Sequence, residues 1–139
     1  MIFFGDENIP PRACRMLNAF DENHEIIPLS DEFPNGMADT DWLNALASRG
    51  EGDGRVAVLT RDAAILRRPS EAAALQTSGC HLIVLTPRFR KLKRDALLLA
   101  MVNNWRALTN QVIRLRHSSL IRWDCRGHKR VEVERRLSK

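Results

Sequence analysis

Short apolar runs alternate with segments of helical periodicity along most of the chain. Four runs have the length of buried strands, at residues 1–4, 25–29, 56–59 and 81–85. Runs this short are ambiguous by period alone, but their length and the polar or glycine residues that follow them favour strands. The pattern therefore predicts strands that are separated by helices.

Helical spacing predicts two of the elements between and after these strands. The first helix has an apolar stripe made of Ala13, Met16, Leu17 and Phe20. Prolines at positions 10 and 11 suit its first turn, where the backbone needs no amide donor. A long helix at residues 93–109 has a second stripe, made of Leu97, Met101, Trp105 and Leu108. Both stripes indicate helices that pack one face on a core.

Two shorter helices are predicted between the second and fourth strands. The first is capped by Asp39 or Thr40, ends at residues 50–54, and has an apolar stripe made of Trp42, Leu43, Leu46 and Ala47. The second is clearest at residues 72–76 and ends at Gly79. Residues 30–38 are predicted to form a loop, because they include Pro34 and the pair Asn35-Gly36.

The last part of the chain, about residues 114–139, is basic and less regular. Residues 120–123 and 131–133 flank Arg126-Gly127, which predicts a terminal hairpin, with one strand and a basic tail as the alternative. Strands that alternate with helices indicate a mostly parallel sheet covered on both faces. We therefore expect an α/β fold, a three-layer α/β/α sandwich, in a single domain of 139 residues.

Composition favours a cytoplasmic protein with no membrane partner. No stretch approaches the ~18 apolar residues that a membrane helix needs, and the apolar start breaks at Gly5-Asp6, too early for a secretory signal. The three cysteines form neither a CxxC pair nor a zinc-type spacing with the four histidines. Reduced thiols are the simplest interpretation.

Charge is distributed unevenly along the chain. Residues 1–60 hold 4 Lys/Arg and 11 Asp/Glu, net −7, whereas residues 61–139 hold 18 and 6, net +12. A solvated basic surface is the simpler explanation of a charge run taken alone. Because this basic half accompanies an acidic cluster, a polyanionic partner is the preferred interpretation.

Several carboxylates are expected at one edge of the sheet. Asp6 and Asp62 follow the first and third strands, while Asp39 and Asp41 open the helix between the second and third strands. Sites in open parallel sheets lie beyond the carboxyl ends of the strands, where clustered carboxylates repel one another unless a cation joins them. Oxygen ligands of this kind suit Mg²⁺ or Mn²⁺, which activate water for phosphodiester hydrolysis. Taken singly, each carboxylate is also an ordinary turn or cap residue.

Three segments resemble a known family. Residues 2–9 (IFFGDENI), 38–43 (ADTDWL) and 56–62 (VAVLTRD) resemble, in order and spacing, the PIN-like nucleases of the VapC45-type and related Mut7-C-type groups. Residues 60–75 (TRDAAILRRPSEAAAL) extend this resemblance, which spans residues 1–110. The basic segment after Arg114 matches no motif of the family.

The resemblance implies an α/β/α sandwich that cleaves RNA with Mg²⁺ or Mn²⁺, in many members as a toxin that a small cognate antitoxin protein holds inactive. It implies metal-binding, catalytic roles for Asp6, Asp41 and Asp62. Further candidates are Glu7 as a metal ligand, Asn8, Asp39, Thr60 as a hydrogen-bond partner of a ligand, and Glu71 as a fourth acid. Asn8 is equally a candidate cap of the first helix.

Basic side chains near the expected edge are candidates for RNA contacts. They are Arg61, Arg67, Arg68, Arg90 and Lys91. Contacts to phosphates supply affinity without reading sequence and weaken with salt; the alternative is a solvated loop and helix start. Trp123 is a candidate for stacking on a base, but core packing is the preferred prediction for it, as for Trp42 and Trp105.

Two other functions are compatible with the sequence. A phospho-acceptor signalling domain also gathers acids after its first and third strands, but it normally has a Lys where this chain has Thr86 before Pro87. A non-catalytic PIN-like module that binds RNA or protein would keep the fold and lack the metal. The sequence also leaves a homodimer open.

Overall fold

Six strands form one sheet in the computed structural model, which describes residues 1–34, 36–48, 55–126 and 130–137. The strands are β1 (Ile2–Gly5), β2 (Glu25–Pro28), β3 (Val56–Thr60), β4 (His81–Leu85), β5 (Ser119–Trp123) and β6 (Val131–Arg136). The helices are α1 (Pro11–Phe20), α2 (Leu29–Glu32), α3 (Asp39–Ser48), α4 (Pro69–Ser78), α5 (Pro87–Arg90) and α6 (Arg94–Val112), with a 3₁₀ helix at Ala63–Arg67.

The strands lie in the order β2-β1-β3-β4-β5-β6. The first five are parallel to their neighbours, and β6 pairs antiparallel with β5. From β1 the chain first moves to one side, to β2, and then crosses to the other side, to β3. This order creates a topological switch point between β1 and β3, where a crevice opens at the carboxyl ends of the strands. The predicted mostly parallel sheet is confirmed.

Helices cover both faces of the sheet, and each face has its own core. On one face, Phe3 and Leu59 of the sheet pack with α1, α5 and α6. On the other face, Phe4 and Val58 pack with α3 and α4. Successive strand residues point to opposite faces, so a strand that is buried along its whole length, such as β3, must be covered twice. The predicted three-layer α/β/α sandwich is confirmed.

Most strand and helix positions agree with the hydrophobic pattern. β4 lies at the predicted residues, and β3 continues through Thr60, beyond the predicted end at Leu59. α4 ends at Gly79, which has a φ of 72°. Glycine adopts this left-handed conformation without steric cost, which explains why the helix stops there.

The predicted stripe of α1 is wrong at two positions. The buried side chains of this helix are Ala13, Cys14 and Leu17. Met16 and Phe20 are instead 38% and 40% exposed. The helix packs between the sheet and α6, so its buried stripe turns toward Cys14, and the Phe20 ring meets the Arg106 guanidinium at 5.1 Å. Pro11 occupies the first helical turn, as predicted.

The connection from β2 to α3 also differs from the prediction. β2 ends at Pro28, which has no amide donor for the ladder, and α2 follows inside the segment predicted to be a loop. The carbonyl oxygen of Ala38 accepts hydrogen bonds from the amides of Asp41 and Trp42. Ala38 therefore takes the capping position predicted for Asp39 or Thr40. The predicted helix end at residues 50–54 and the turn residues at 35 and 127 lie outside the described residues.

Aromatic side chains join α6 to the sheet. The rings of Trp105 and Trp123 lie 5.9 Å apart between centroids, and Phe3 and Phe89 each join one of them at 4.8 Å. Trp123 is 0% exposed, so its predicted core packing is confirmed and base stacking is wrong. The predicted stripe of α6 is also buried, and the helix continues beyond its predicted end as far as Val112.

The predicted terminal hairpin is confirmed. β5 and β6 pair antiparallel, with Trp123 opposite Val131 and Ser119 opposite Arg136, so the alternative of a single strand and a tail is wrong. β5 also pairs in parallel with β4. The hairpin is therefore part of the main sheet, which its sequence pattern did not predict.

Cys14 and Cys125 are free thiols, and burial raises the pKa of the Cys14 thiol to about 12. This thiol is therefore protonated at neutral pH and unreactive. Among the helices that the structure describes, none is both long and apolar enough to cross a lipid bilayer.

Close packing between β1 and α1 makes Gly5 a test of the fold. A Cβ atom at Gly5 would lie 2.5 Å from the Cys14 Sγ and 3.2 Å from the Ile9 Cγ2. We predict that Gly5→Ala lowers the free energy of unfolding by about 1–3 kcal/mol, the usual cost of overpacking. Cys14→Ala removes the clashing sulfur, so the double variant should recover at least about 1 kcal/mol relative to additivity.

Urea unfolding of the wild type, both single variants and the double variant completes this mutant cycle. Strictly additive changes in the free energy of unfolding would contradict the predicted contact between Gly5 and Cys14.

Candidate functional site

Two acidic strand ends meet at the switch point of the sheet. Asp6 follows β1 and Asp62 follows Thr60, the last residue of β3, and these two strands are neighbours. The amide of Asp6 donates a hydrogen bond to the carbonyl oxygen of Leu59 at 3.0 Å, which continues the pairing past the end of β1. The topology therefore places both aspartates at the edge where open parallel sheets bind ligands.

Asp6 is held in place by two donors. The amide of Asn8 donates to its Oδ1 at 2.9 Å, and the Thr60 side chain also hydrogen-bonds its carboxyl group. Burial nevertheless raises the pKa of Asp6 to about 6, because the hydrogen bonds from Thr60 and Asn8 only partly compensate and the Asp39 and Glu7 charges raise it further. Asp6 is therefore a carboxylate whose negative charge is poorly stabilised.

Thr60 connects the two strand ends. It is fully buried, and its Oγ1 accepts a hydrogen bond from the amide of Asp62 at 2.9 Å while its hydroxyl group bonds Asp6. The Asp62 carboxylate in turn accepts from the amide of Ala64 at 2.9 Å and caps the 3₁₀ helix. The structure thus places Thr60 where its predicted role, a hydrogen bond to a ligand carboxylate, requires.

The first turn of α3 presents two aspartates in different surroundings. The Asp39 Oδ1 accepts a hydrogen bond from the Trp42 Nε1 at 2.9 Å, and the Asp39 charge acts on Asp6. The Asp41 side chain is exposed, and among the described residues it has no hydrogen bond or ion pair. The structure therefore brings Asp39, rather than Asp41, into the acidic group, and a metal-binding role of Asp41 stays a prediction.

Arg68 lies among three carboxylates. Its Nη1 is 3.0 Å from the Glu71 Oε2 and 3.8 Å from the Asp39 Oδ2, and its Nη2 is 3.4 Å from the Asp62 Oδ2. The hydrogen bond and charge of Glu71 raise the pKa of Arg68, and Asp62 and Asp39 add to this. Glu71, predicted as a fourth acid, is therefore adjacent to the group that contains Asp39 and Asp62.

Glu7 acts on Asp6 through its side-chain charge, whereas Asn8 acts through its backbone amide. Glu7 is exposed and close enough to raise the pKa of Asp6. Asn8 contributes its backbone amide to Asp6, whereas the cap of α1 is Pro10. The predicted alternative of Asn8 as a helix cap is therefore wrong, because the turn from Asp6 to Asn8 is completed before the helix begins.

The acidic group fits a divalent cation in its chemistry but not in its spacing. Carboxylate oxygens are the ligands that Mg²⁺ and Mn²⁺ prefer. Among the described residues, however, no three acidic, histidine or cysteine side chains lie close enough together to hold a metal ion. The Arg68 guanidinium supplies positive charge to three of the acids instead.

A cleft of about 380 Å³ opens beside Asp6 and Asp39. Its walls include the side chains of Leu29, Phe33 and Trp42 from the loop and helices that follow β2. An elongated ligand that reaches the acidic group would therefore have room on the side of β2.

The basic side chains lie on the other side of the acidic group. The Arg61 Nη2 donates to the carbonyl oxygen of Arg90 at 2.8 Å, which joins the loop after β3 to the end of α5. Arg67, Arg90 and Lys91 are exposed. Their positions leave them accessible to a ligand, and their predicted RNA contacts stay predictions.

One carboxylate at this edge was missed by the sequence interpretation. Asp124 follows β5, and its Oδ1 accepts a hydrogen bond from the Thr86 Oγ1 at 2.9 Å, while its Oδ2 lies 3.8 Å from the Arg88 Nη1. The contact resembles that of Thr60 with Asp6. The sequence feature that could have identified Asp124 is an aspartate that follows an apolar run, as at Asp6 and Asp62.

The raised pKa of Asp6 has a measurable effect on stability. In the folded protein this group binds its proton more tightly than an ordinary aspartate side chain, whose pKa is about 3.9. The stability it contributes is therefore present when it is protonated, and about 3 kcal/mol of it is lost as the pH rises from about 4 to about 6. We predict that Asp6→Asn removes most of this dependence and is more stable than the wild type above pH 7.

Urea unfolding in a metal chelator, from pH 4 to pH 8, measures this effect. The difference in free energy of unfolding between the wild type and Asp6→Asn should change across the range. A difference that is independent of pH would show that the Asp6 pKa is not raised.

Comparisons with known proteins agree with the fold. A family model described as a PIN-like domain matches residues 1–87, more than half of the chain. Searches of curated proteins and of solved structures gave no significant match. The matched residues include β1, β3 and the acidic group of Asp6, Asp39, Asp62 and Glu71. The chain therefore belongs to the family of PIN-like domains.

Proposed function

We propose that this PIN-like domain is a metal-dependent endoribonuclease that hydrolyses RNA phosphodiester bonds with Mg²⁺ or Mn²⁺. The observation that carries the proposal is the group of carboxylates at the switch point of the sheet, inside the span that matches the family. Nuclease chemistry is typical of the family, and clustered acids without a cation cost stability. Such a cost is expected where residues are kept for function.

The candidate metal ligands are Asp6 and Asp62, with Asp39 or Asp41 as a third acid and Glu7 and Glu71 in support. When bound, a divalent ion would supply an activated water and stabilise the negative charge that develops on the phosphate. Asp6 and Asp62 come from neighbouring strand ends, which are rigid supports compared with free loops.

The residues around these acids orient them before any ligand binds. Thr60 and the amide of Asn8 hold the Asp6 carboxylate, and the amide of Ala64 holds that of Asp62. Partners of this kind fix the direction of the lone pairs and tune the affinity of ligands. The remaining oxygen atoms of both carboxylates are the ones that we propose to face an ion.

Basic side chains are proposed to hold the RNA strand beside the acids. These residues belong to the segments that follow β3 and β4, at the same edge of the sheet as Asp62, and they are Arg61, Arg67, Arg90 and Lys91. Contacts to phosphates position a strand without reading its sequence. The residues that follow β2 line the cleft on the opposite side of the acids, so a strand that crosses the site would meet both regions.

A cellular role is proposed from the resemblance to the VapC45-type group. In this proposal the protein is the toxin of a toxin–antitoxin pair in the cytoplasm, held inactive by a cognate antitoxin, and a homodimer is a second candidate assembly. Identification of a small co-transcribed gene whose product binds this chain and blocks its activity would test the role independently of the chemistry.

The two aspartates of α3 provide the sharpest test of the catalytic site. We predict that Asp6→Asn, Asp62→Asn and Asp39→Asn each lower Mn²⁺-dependent RNA cleavage by more than about 100-fold, since partners of metal ligands alone are worth about 10–100-fold. Asp41→Asn should retain nearly full activity, because the Asp41 side chain is exposed and lies outside the acidic group. The measurement is the initial rate on a pool of varied RNAs.

Asp95→Asn is the matched control, because Asp95 is an exposed aspartate in the first turn of α6. If Asp41→Asn is inactive and Asp39→Asn is active, the assignment implied by the resemblance holds instead. Equal activity of the wild type and all variants would refute the site. A folded wild type that binds no Mn²⁺ would favour the non-catalytic module.

Salt dependence tests the basic residues. We predict that Arg67→Gln combined with Lys91→Gln weakens RNA binding in a chelator and makes the plot of log affinity against log salt shallower, by about 0.7 for each lost phosphate contact with a single strand. Arg55→Gln combined with Arg114→Gln is the control, since both arginines are exposed beside the amino ends of β3 and β5. If the slope of log affinity against log salt changed equally in both double variants, the proposed RNA contacts of Arg67 and Lys91 would be contradicted.

A further inference from the structure

We propose that Arg68 occupies the place of a divalent cation among the carboxylates, and that an ion entering the site displaces its guanidinium. Arg68 is then a positioning residue that competes with the metal, and not in the first instance an RNA ligand. This inference rests on the proposed function, because it concerns the same acidic group.

The contacts of Arg68 support this role. One guanidinium reaches Glu71 at 3.0 Å, Asp62 at 3.4 Å and Asp39 at 3.8 Å. The three acids belong to three different segments, namely α4, the cap of the 3₁₀ helix and α3. A single cationic side chain thus neutralises carboxylates that sequence-distant elements bring together, as a metal ion does in a metal-bound site.

The position of Arg68 also explains the spacing of the acids. Guanidinium groups bind carboxylates in a planar fork, with one oxygen at each nitrogen. Metal ions need oxygen ligands at about 2.0–2.6 Å around a point. Carboxylates spread around a guanidinium are too far apart for an ion, which agrees with the lack of a closed ligand group among the described residues.

Arg68 is held weakly enough to leave. Its side chain is 50% exposed. An exposed ion pair changes an equilibrium by at most about fivefold. Asp6 has no cationic partner among the described side chains, so an ion that also met Asp6 would gain a carboxylate that Arg68 does not reach.

A titration with Mn²⁺ alone tests the proposal without any RNA. Binding is measured as the loss of the electron paramagnetic resonance signal of free Mn²⁺. Arg68→Gln should bind Mn²⁺ about fivefold more tightly than the wild type, the upper end of the worth of one exposed ion pair. Arg68→Lys keeps the charge but not the planar fork, so its affinity should lie between the two.

Arg88→Gln is the matched control. Arg88 is exposed at the same edge of the sheet and pairs with Asp124, at 3.8 Å, instead of with the proposed ligands. Arg88→Gln changes the net charge equally but should leave the Mn²⁺ affinity within about twofold of the wild type, because Arg88 pairs with Asp124 and its exposed charge is screened by salt.

Thermal unfolding provides a second readout. In a chelator, Arg68→Gln should be less stable than the wild type, because Asp39, Asp62 and Glu71 then repel one another without a counter-ion. Added Mn²⁺ should raise its Tm by more than it raises that of the wild type, since tighter binding to the folded state stabilises it further.

The outcomes separate the two proposals. Equal or weaker Mn²⁺ binding by Arg68→Gln than by the wild type would overturn the role of Arg68 and leave the nuclease proposal standing. Absence of Mn²⁺ binding by both folded proteins would overturn the metal site itself, and with it the role of Arg68.

Discussion

The parallel pairing of β1 with β3 is the contact on which the site depends. Gly5 lies opposite Leu59, and the amide of Asp6 bonds the Leu59 carbonyl, which sets Asp6 beside Thr60. A slip of one residue would send every side chain of β1 to the other face of the sheet. Phe3 and Phe4 belong to different cores, so a slip would exchange them between the cores and would place a side chain in the space beside Cys14 that Gly5 leaves open. Hydrophobic burial therefore sets the register, and the register sets the position of the acids.

Charged side chains that cost stability are concentrated at the carboxyl ends of β1 and β3. Burial raises the pKa of Asp6 to about 6, and the Asp39 charge raises it further. The half-exposed guanidinium of Arg68 places its positive charge among Asp39, Asp62 and Glu71. The fold could have been stabilised by apolar residues at this edge. This edge is instead a charged crevice, bordered by a cleft and by basic segments, which separates the requirements of folding from those of ligand binding.

The two aspartates at the start of α3 show where sequence patterns stop being informative. Asp39 and Asp41 lie two residues apart, on different sides of one helical turn, and both suit the first turn of a helix. Only the packing of Trp42 and Leu43 against the sheet sets the rotation of α3, and with it the side chain that faces Asp6. Arg68 is similar: its partners come from elements that only the tertiary structure brings together.

The sequence by itself determined the alternation of strands and helices, the parallel sheet covered on both faces, and the strand ends that carry Asp6 and Asp62, because these follow from hydrophobic period and local turn chemistry. The tertiary structure alone decided that the hairpin of β5 and β6 extends the main sheet and that Arg68 lies among the acids. These features depend on contacts between residues far apart in the chain, on which local periodicity carries no information.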